Sequence, residues 1–174
     1  MRLLRWIGIA FLSAACILYG QYMAMQLKER LFLMEQMEKY LILIKGDIQY
    51  GRLTLSQIIE PLEKTAEGPY QFFFRELSRR MDTFDGGSLA QIWREAVETE
   101  LSKSALKKED LERFSEISQF LGVRDSESQI RALEHQLSLL SYQTNAIRSQ
   151  MPGKVMVART IGVTSGIFLA VLLI

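Results

Sequence analysis

Two uncharged apolar stretches bracket this chain, and they limit its fold more than any motif between them. The first runs from Trp6 to Met25, with Gln21 as its one strongly polar side chain. A helix needs about 20 residues to cross ~30 Å of hydrocarbon, and this stretch meets that length. The second, Thr160 to Ile174, offers only about 22 Å of helix at ~1.5 Å per residue. Starting the helix near Val155, with Lys154 and Arg159 snorkelling to the interface, supplies the missing length. All 20 acidic residues lie between the two stretches, as do all the basic ones except Arg2 and Arg5. The pattern predicts an N-terminal transmembrane helix over 1–26, a helical domain over 27–153 and a C-terminal transmembrane helix over 154–174.

The middle of a 174-residue chain has room for one small domain with a modest core. From Lys28 to Gly153 there are 17 Lys plus Arg against 20 Asp plus Glu. A net charge of −3 gives no basic face for nucleic acid, which is therefore not expected as a partner. Cys16, the only cysteine, lies inside the first apolar stretch and can form no intrachain disulfide. Met1 to Arg5, the apolar run and Ser13-Ala14-Ala15-Cys16 resemble a signal peptide. However, Ser13 stands where a lipoprotein site prefers a large aliphatic residue, and the run continues well past Cys16. An uncleaved span is the expected reading. On the domain side of the spans lie Lys28, Arg30, Lys39, Arg148, Lys154 and Arg159, against Arg2 and Arg5 outside. Basic flanks stay in the cytoplasm, so the domain is expected there.

The domain reads as all-α, a cytoplasmic bundle of about six helices, because no window carries a period-2 pattern between turn signals. Leu27, Leu31, Met34, Met37, Leu41, Ile44 and Ile48 recur at spacings of three and four, which predicts an amphipathic helix ending at Tyr50-Gly51. Thr54 to Gln57 reads as a capping box, opening a helix that Pro61 is expected to kink or split. Gly68-Pro69 opens a third helix to about Thr83, with Tyr70, Phe73, Phe74, Leu77, Met81 and Phe84 inward and Phe72 outward. After Gly86-Gly87, Ser88 to Gln91 is a second capping box, before a helix burying Leu89, Ile92, Trp93 and Ala96. A fifth helix follows Lys107, with Leu111, Phe114, Ile117 and Leu121 inward and Gly122 as its stop. Asp125 is the expected N-cap of the last domain helix. That helix carries Ile130, Leu133, Leu137, Leu140, Thr144, Ile147 and Met151 at alternating spacings of three and four, and Pro152-Gly153 is expected to end it. The first and last domain helices are expected to pack antiparallel as a membrane-proximal stalk. The alternative is that their seams pair with another subunit.

No catalytic constellation, metal site or cofactor motif is found. His135 is the lone histidine, has no cysteine neighbours, and is read as a solvent-facing helix residue. There is no phosphate-binding glycine loop of the P-loop type, and neither apolar stretch carries an ionisable group of the kind intramembrane chemistry uses. Neither an enzyme nor a small-molecule substrate is expected. Acidic residues such as Glu109, Asp110, Glu112 and Glu116 suit an early helical turn. Exposed Phe72 beside Arg79 and Arg80 is the candidate partner contact, since aromatics and arginine are enriched in interfaces. Ala10 with Ala14, Cys16 with Gly20, and Gly162 with Gly166 stand at small-xxx-small spacings and are the candidate membrane-helix packing residues, because small side chains let helices approach closely.

The order of features resembles a known family. An apolar start is followed by Asp47-Ile48-Gln49-Tyr50-Gly51, Leu106-Lys107-Lys108, Leu121-Gly122-Val123-Arg124-Asp125 with Ser128-Gln129, and a glycine-containing apolar end. Together these resemble the stage III sporulation protein AB family of endospore-forming bacteria, over the full length of the chain. Asp47 stands where the family pattern suggests glutamate, and Leu53-Thr54 where it suggests Thr-Pro. The resemblance implies a fold similar to the cytoplasmic domain of inner-membrane platform proteins of type II secretion and type IV pilus systems. It also implies a scaffold of the channel complex between mother cell and forespore. Such a protein sits in the mother-cell membrane facing the forespore and docks a secretion-type ATPase, stage III sporulation protein AA, beside other channel components, and homo-oligomerisation is compatible with that role. The competing reading is a two-span membrane sensor with a helical extracytoplasmic domain, which the charge asymmetry opposes.

Overall fold

A computed structural model describes residues 2–51, 53–83, 88–121 and 126–173, with side chains described for 8, 11–50, 53–83, 88–121 and 127–172. The described residues form helices joined by short turns, with no strand. In order they form α1 (Arg2–Gly46), α2 (Leu55–Thr65), α3 (Pro69–Asp82), α4 (Leu89–Ala96), α5 (Lys108–Ile117) and α6 (Ser126–Leu173). π-helical turns follow α1 at Asp47–Gly51 and α4 at Val97–Leu101. The chain divides into two compact units, one of Met1–Leu31 with Asn145–Ile174 and one of Phe32–Thr144.

Two expected breaks do not occur. Pro152 lies inside α6, and Pro61 lies inside α2 without splitting it. Each proline removes one backbone donor, and both rings are exposed, so water can satisfy the carbonyl freed one turn earlier. The apolar C-terminal stretch is therefore part of the same helix as the repeat before it, just as α1 runs without interruption from Arg2 into its own repeat. α5 also ends earlier than expected, at Ile117, and tight turns carry the chain on to Leu121. Phe84, Gly86, Gly87, Gly122 and Asp125 lie outside the described residues.

The helix starts follow local chemistry. At Thr54 the backbone N–H donates to Gln57 Oε1 at 2.9 Å, the reciprocal half of a capping box. Ser88 Oγ accepts from Gln91 N at 3.2 Å, while the Gln91 amide turns to Glu95. Gly68 takes φ +59°, a left-handed conformation that strains any side-chain-bearing residue, and hands over to Pro69 at the first position of α3. Asp110 is buried and accepts from the Lys107 backbone N–H at 2.9 Å, so this member of the acidic group caps α5.

The core of the Phe32–Thr144 unit is a cluster of six aromatic rings. Tyr40 of α1 lies 5.2 Å from both Tyr70 and Phe74 of α3. Phe73 stands 5.0 Å from Trp93 of α4 and 5.2 Å from Phe114 of α5, and Trp93 and Phe114 are themselves 5.1 Å apart. All of these pairs are tilted or edge-to-face, the arrangement ring quadrupoles favour. The polar tips are satisfied as well. Tyr70 donates its hydroxyl to the Leu33 carbonyl at 2.9 Å, and Trp93 Nε1 donates to the Phe114 carbonyl at 2.9 Å. The Glu67 backbone N–H donates to the Tyr40 hydroxyl oxygen at 3.3 Å, fixing the entry to α3. Burial pushes the Tyr70 phenol well above its usual range, so it remains a donor at any working pH. Lys45 of α1 pairs with Glu134 of α6 at 3.1 Å on the outside of this unit.

Tyr70→Phe removes one hydrogen bond and almost no volume, so it should lower stability by about 1 kcal/mol. Trp93→Phe removes a donor and opens a void, and should cost about 2–4 kcal/mol. Urea unfolding followed by circular dichroism measures both. The expected order is a larger loss for Trp93→Phe.

Candidate functional site: a close helix seam and an ion-paired face

In the unit that contains both chain ends, α1 and α6 run antiparallel with their backbones in contact. A Cβ built on Gly20 would fall 2.8 Å from the Ala158 carbonyl oxygen and 3.0 Å from Gly162 Cα. One built on Gly162 would fall 2.9 Å from the Cys16 carbonyl oxygen. Nothing larger than glycine fits at either position. At Gly166 the corresponding atom would lie 3.1 Å from the Ser13 carbonyl oxygen, and Ser13 donates its hydroxyl to the Gly166 carbonyl at 3.1 Å. Gly20, Gly162 and Gly166, three of the residues singled out in the sequence, thus meet in one seam.

Ala14 is exposed instead of facing α6, and the Ala10 side chain lies outside the described residues. The α1 side of the seam is made by Ser13, Cys16 and Gly20, and buried Ala24 continues it in register. These residues continue the spacing of three and four backward from Leu27. An apolar background conceals such a pattern, because hydrophobicity no longer separates the faces. Residue size does separate them. The outer faces carry Phe11, Leu18, Tyr19 and Tyr22 on α1, and Ile161, Ile167, Phe168 and Val171 on α6, all well exposed.

On α3 the structure brings Phe72, Arg79 and Arg80 together with acidic partners that single-residue reading missed. Phe72 is exposed, with the Arg75 guanidinium 5.8 Å from its ring centre. Arg79 Nε and Nη2 donate to the two oxygens of Glu76 at 2.9 and 2.8 Å. Arg80 Nε donates to Glu76 at 2.6 Å, and its Nη1 reaches Glu95 of α4. The two arginines are therefore largely neutralised within the chain, and Arg80 ties α3 to α4. The signal was present as Glu76 placed three and four residues before them. The hydrogen bond from Arg79, then that from Arg80, holds the Glu76 carboxyl at about 2, against a usual 4.5.

Among the described residues no group of three or more His, Cys, Asp or Glu side chains is placed to hold a metal ion. His135 is exposed on α6. By length and composition, α6 contains a stretch sufficient to cross a membrane.

Gly162→Leu should force the two helices apart. With Ser13 and Gly166 replaced by cysteine in a Cys16→Ala background, oxidation should crosslink the parent protein, and Gly162→Leu should abolish the crosslink. The Glu76 ion pairs predict a second effect. Because the folded carboxyl titrates below its unfolded value, its stabilisation is complete above pH 4.5 and is lost as pH falls towards about 2. Glu76→Gln should therefore cost about 1 kcal/mol at pH 6 and almost nothing near pH 2. Urea midpoints at the two pH values measure the difference.

Comparison with known proteins gives consistent results. A curated relative described as stage III sporulation protein AB of Bacillus subtilis (strain 168) is 24% identical over 172 residues, covering 98% of this chain and 99% of the relative. A solved structure described as stage III sporulation protein AB superposes with a TM-score of 0.65 at 21% identity, covering 71% of this chain and 96% of that one. The latter likeness concerns the fold. The family described as Stage III sporulation protein AB matches residues 5–174. Nearly the whole sequence is matched, and the chain belongs to the stage III sporulation protein AB family.

Proposed function

We propose that this sporulation protein is a non-enzymatic membrane platform. Both apolar segments span the mother-cell membrane facing the forespore, and the helical domain lies in the cytoplasm and docks a secretion-type ATPase, stage III sporulation protein AA. The observation that carries the membrane part is the inverted size pattern of the paired α1 and α6 segments. Small residues meet inside, while phenylalanine, leucine, isoleucine and tyrosine side chains face outward. Water disfavours such a surface, whereas lipid accommodates it and leaves backbone packing as the source of helix association.

The docking part is supported by the α3 face. Phe72 is an exposed ring stacked by Arg75, and Arg79 lies two turns further along the same stripe. A ring held by a neighbouring cation loses little rotamer freedom on binding. The arginines meet a partner as half of an ion-pair network whose acidic half is already in place, so the ring is the stronger anchor.

The experiment is co-purification of the full chain with the family's ATPase from detergent extracts. Binding is expected for the parent chain, with Phe72→Ala weakening it about tenfold, as for an interface anchor, and Arg79→Glu weakening it less. Failure of the parent chain to retain the ATPase would contradict the docking reading. A reporter inserted between α3 and α4 that is active only outside the cytoplasm would contradict the orientation.

A further inference from the structure

Along one flank of the glycine seam the paired α1 and α6 segments leave a groove of about 580 Å³. Gly20, Ala158 and Gly162 form its floor, and Tyr19, Met23 and Ile161 form its walls. From Ala15 to Met23 the α1 side is about 12 Å long at ~1.5 Å per residue. That length is close to one leaflet's half of a ~30 Å hydrocarbon core.

The groove is apolar along its length and charged at one end. Lys154, Ala158, Ile161 and Ser165 recur at spacings of four, three and four, so they share one face of α6. The last three line the groove, and Lys154 stands one turn beyond it, at the end where α1 and α6 leave this unit. Lys154 is exposed and pairs with no described residue. On α1, Arg30 falls two turns beyond Met23 in the same register, at the same end. Lys28, Arg148 and Arg159 add to the positive charge there, and Glu29 is the one acidic residue of the whole unit. A second copy of the chain suits this groove poorly, because two such faces laid together would bring like charges together. An anionic amphiphile matches both the apolar length and the cationic end.

We infer that the groove holds one acyl chain of an anionic phospholipid, in the leaflet next to the helical domain, with the lipid phosphate at Lys154. The acyl chain lies over Gly20 and Gly162, between Tyr19 and Ile161. The aliphatic stem of Lys154 follows the helix surface while its ammonium reaches the headgroup level. Basic groups between membrane helices at that level favour anionic headgroups. The inference rests on both segments spanning the membrane, and it adds the lipid class that fits beside their seam.

The test uses the full chain in nanodiscs of mixed phosphatidylglycerol and phosphatidylcholine, with retained lipids counted by native mass spectrometry. One phosphatidylglycerol should stay with each chain, favoured at least about fivefold over phosphatidylcholine. Lys154→Gln should lower that retention about fivefold. Ser165→Phe, which fills the groove, should lower it as well. Lys28→Gln, the same charge change on the stripe of Ile17 and Gln21, should leave it unchanged. Equal retention of the two lipids, equal losses from Lys154→Gln and Lys28→Gln, or indifference to Ser165→Phe would overturn the inference. If Ser165→Phe instead dissociates a homo-oligomer and lipid retention stays the same, the occupant is a second copy and the lipid assignment fails. Flotation with carbonate-washed phosphatidylcholine vesicles separates this inference from the reading it rests on. A chain that does not float contradicts the spanning reading and the inference with it, whereas a chain that floats but shows no preference for phosphatidylglycerol contradicts the inference alone.

Discussion

The packing of Tyr40, Tyr70, Phe73, Phe74, Trp93 and Phe114 is the interaction on which the rest of the Phe32–Thr144 unit depends. Helices α2, α4 and α5 have 11, 8 and 10 residues, lengths at which an isolated helix is marginal at best. They persist because each lays one face against a neighbour that is already ordered. α3 is the intermediary, with Tyr70 and Phe74 turned to α1 and Phe73 turned to α4 and α5. The two buried donors then restrict the cluster to one arrangement, since shifting either ring would leave Tyr70 or Trp93 without its carbonyl.

The unit containing the chain ends solves the opposite problem. In the domain, large side chains point inward and polar ones outward. In the α1 and α6 segments, glycine, serine and cysteine meet inside and large apolar side chains point out. The same spacing of three and four residues runs along each helix through both regimes, so the periodicity is common to them and only the size of the seam residues changes. This suits a chain whose ends associate by backbone contact. Membership of the stage III sporulation protein AB family gives that arrangement its setting.

Much of this was legible in the sequence, for identifiable reasons. The inward faces of α3, α4 and α5 followed from the spacing of aromatic and aliphatic residues, and Thr54, Ser88 and Gly68-Pro69 marked three helix starts through local chemistry. Tyr40 was not foreseen as a core residue. It lies beside the seam of α1, on a face that becomes buried only because α3 packs there. Pro61 was read as a kink or split and Pro152 as a break because the sequence does not reveal that both rings would be exposed on helices stabilised by their other faces. The arginine pair was legible as a charge but not as a neutralised one, because Glu95 comes from another helix. Ser13 was hidden by the apolar background, although extending the domain's own spacing backward from Leu27 reaches it, whereas Cys16 was legible through its small-residue spacing to Gly20.

The central claim is that the aromatic cluster makes α3, α4, α5 and the Phe32–Ile44 part of α1 one cooperative unit. Native-state hydrogen exchange on the full chain in nanodiscs, with and without Phe73→Ala, tests it most directly. The account predicts that the slowest amides of all four elements share one opening free energy and lose about 3–5 kcal/mol of protection together in the variant. Loss confined to α3, with α1, α4 and α5 keeping their parental protection, would contradict it.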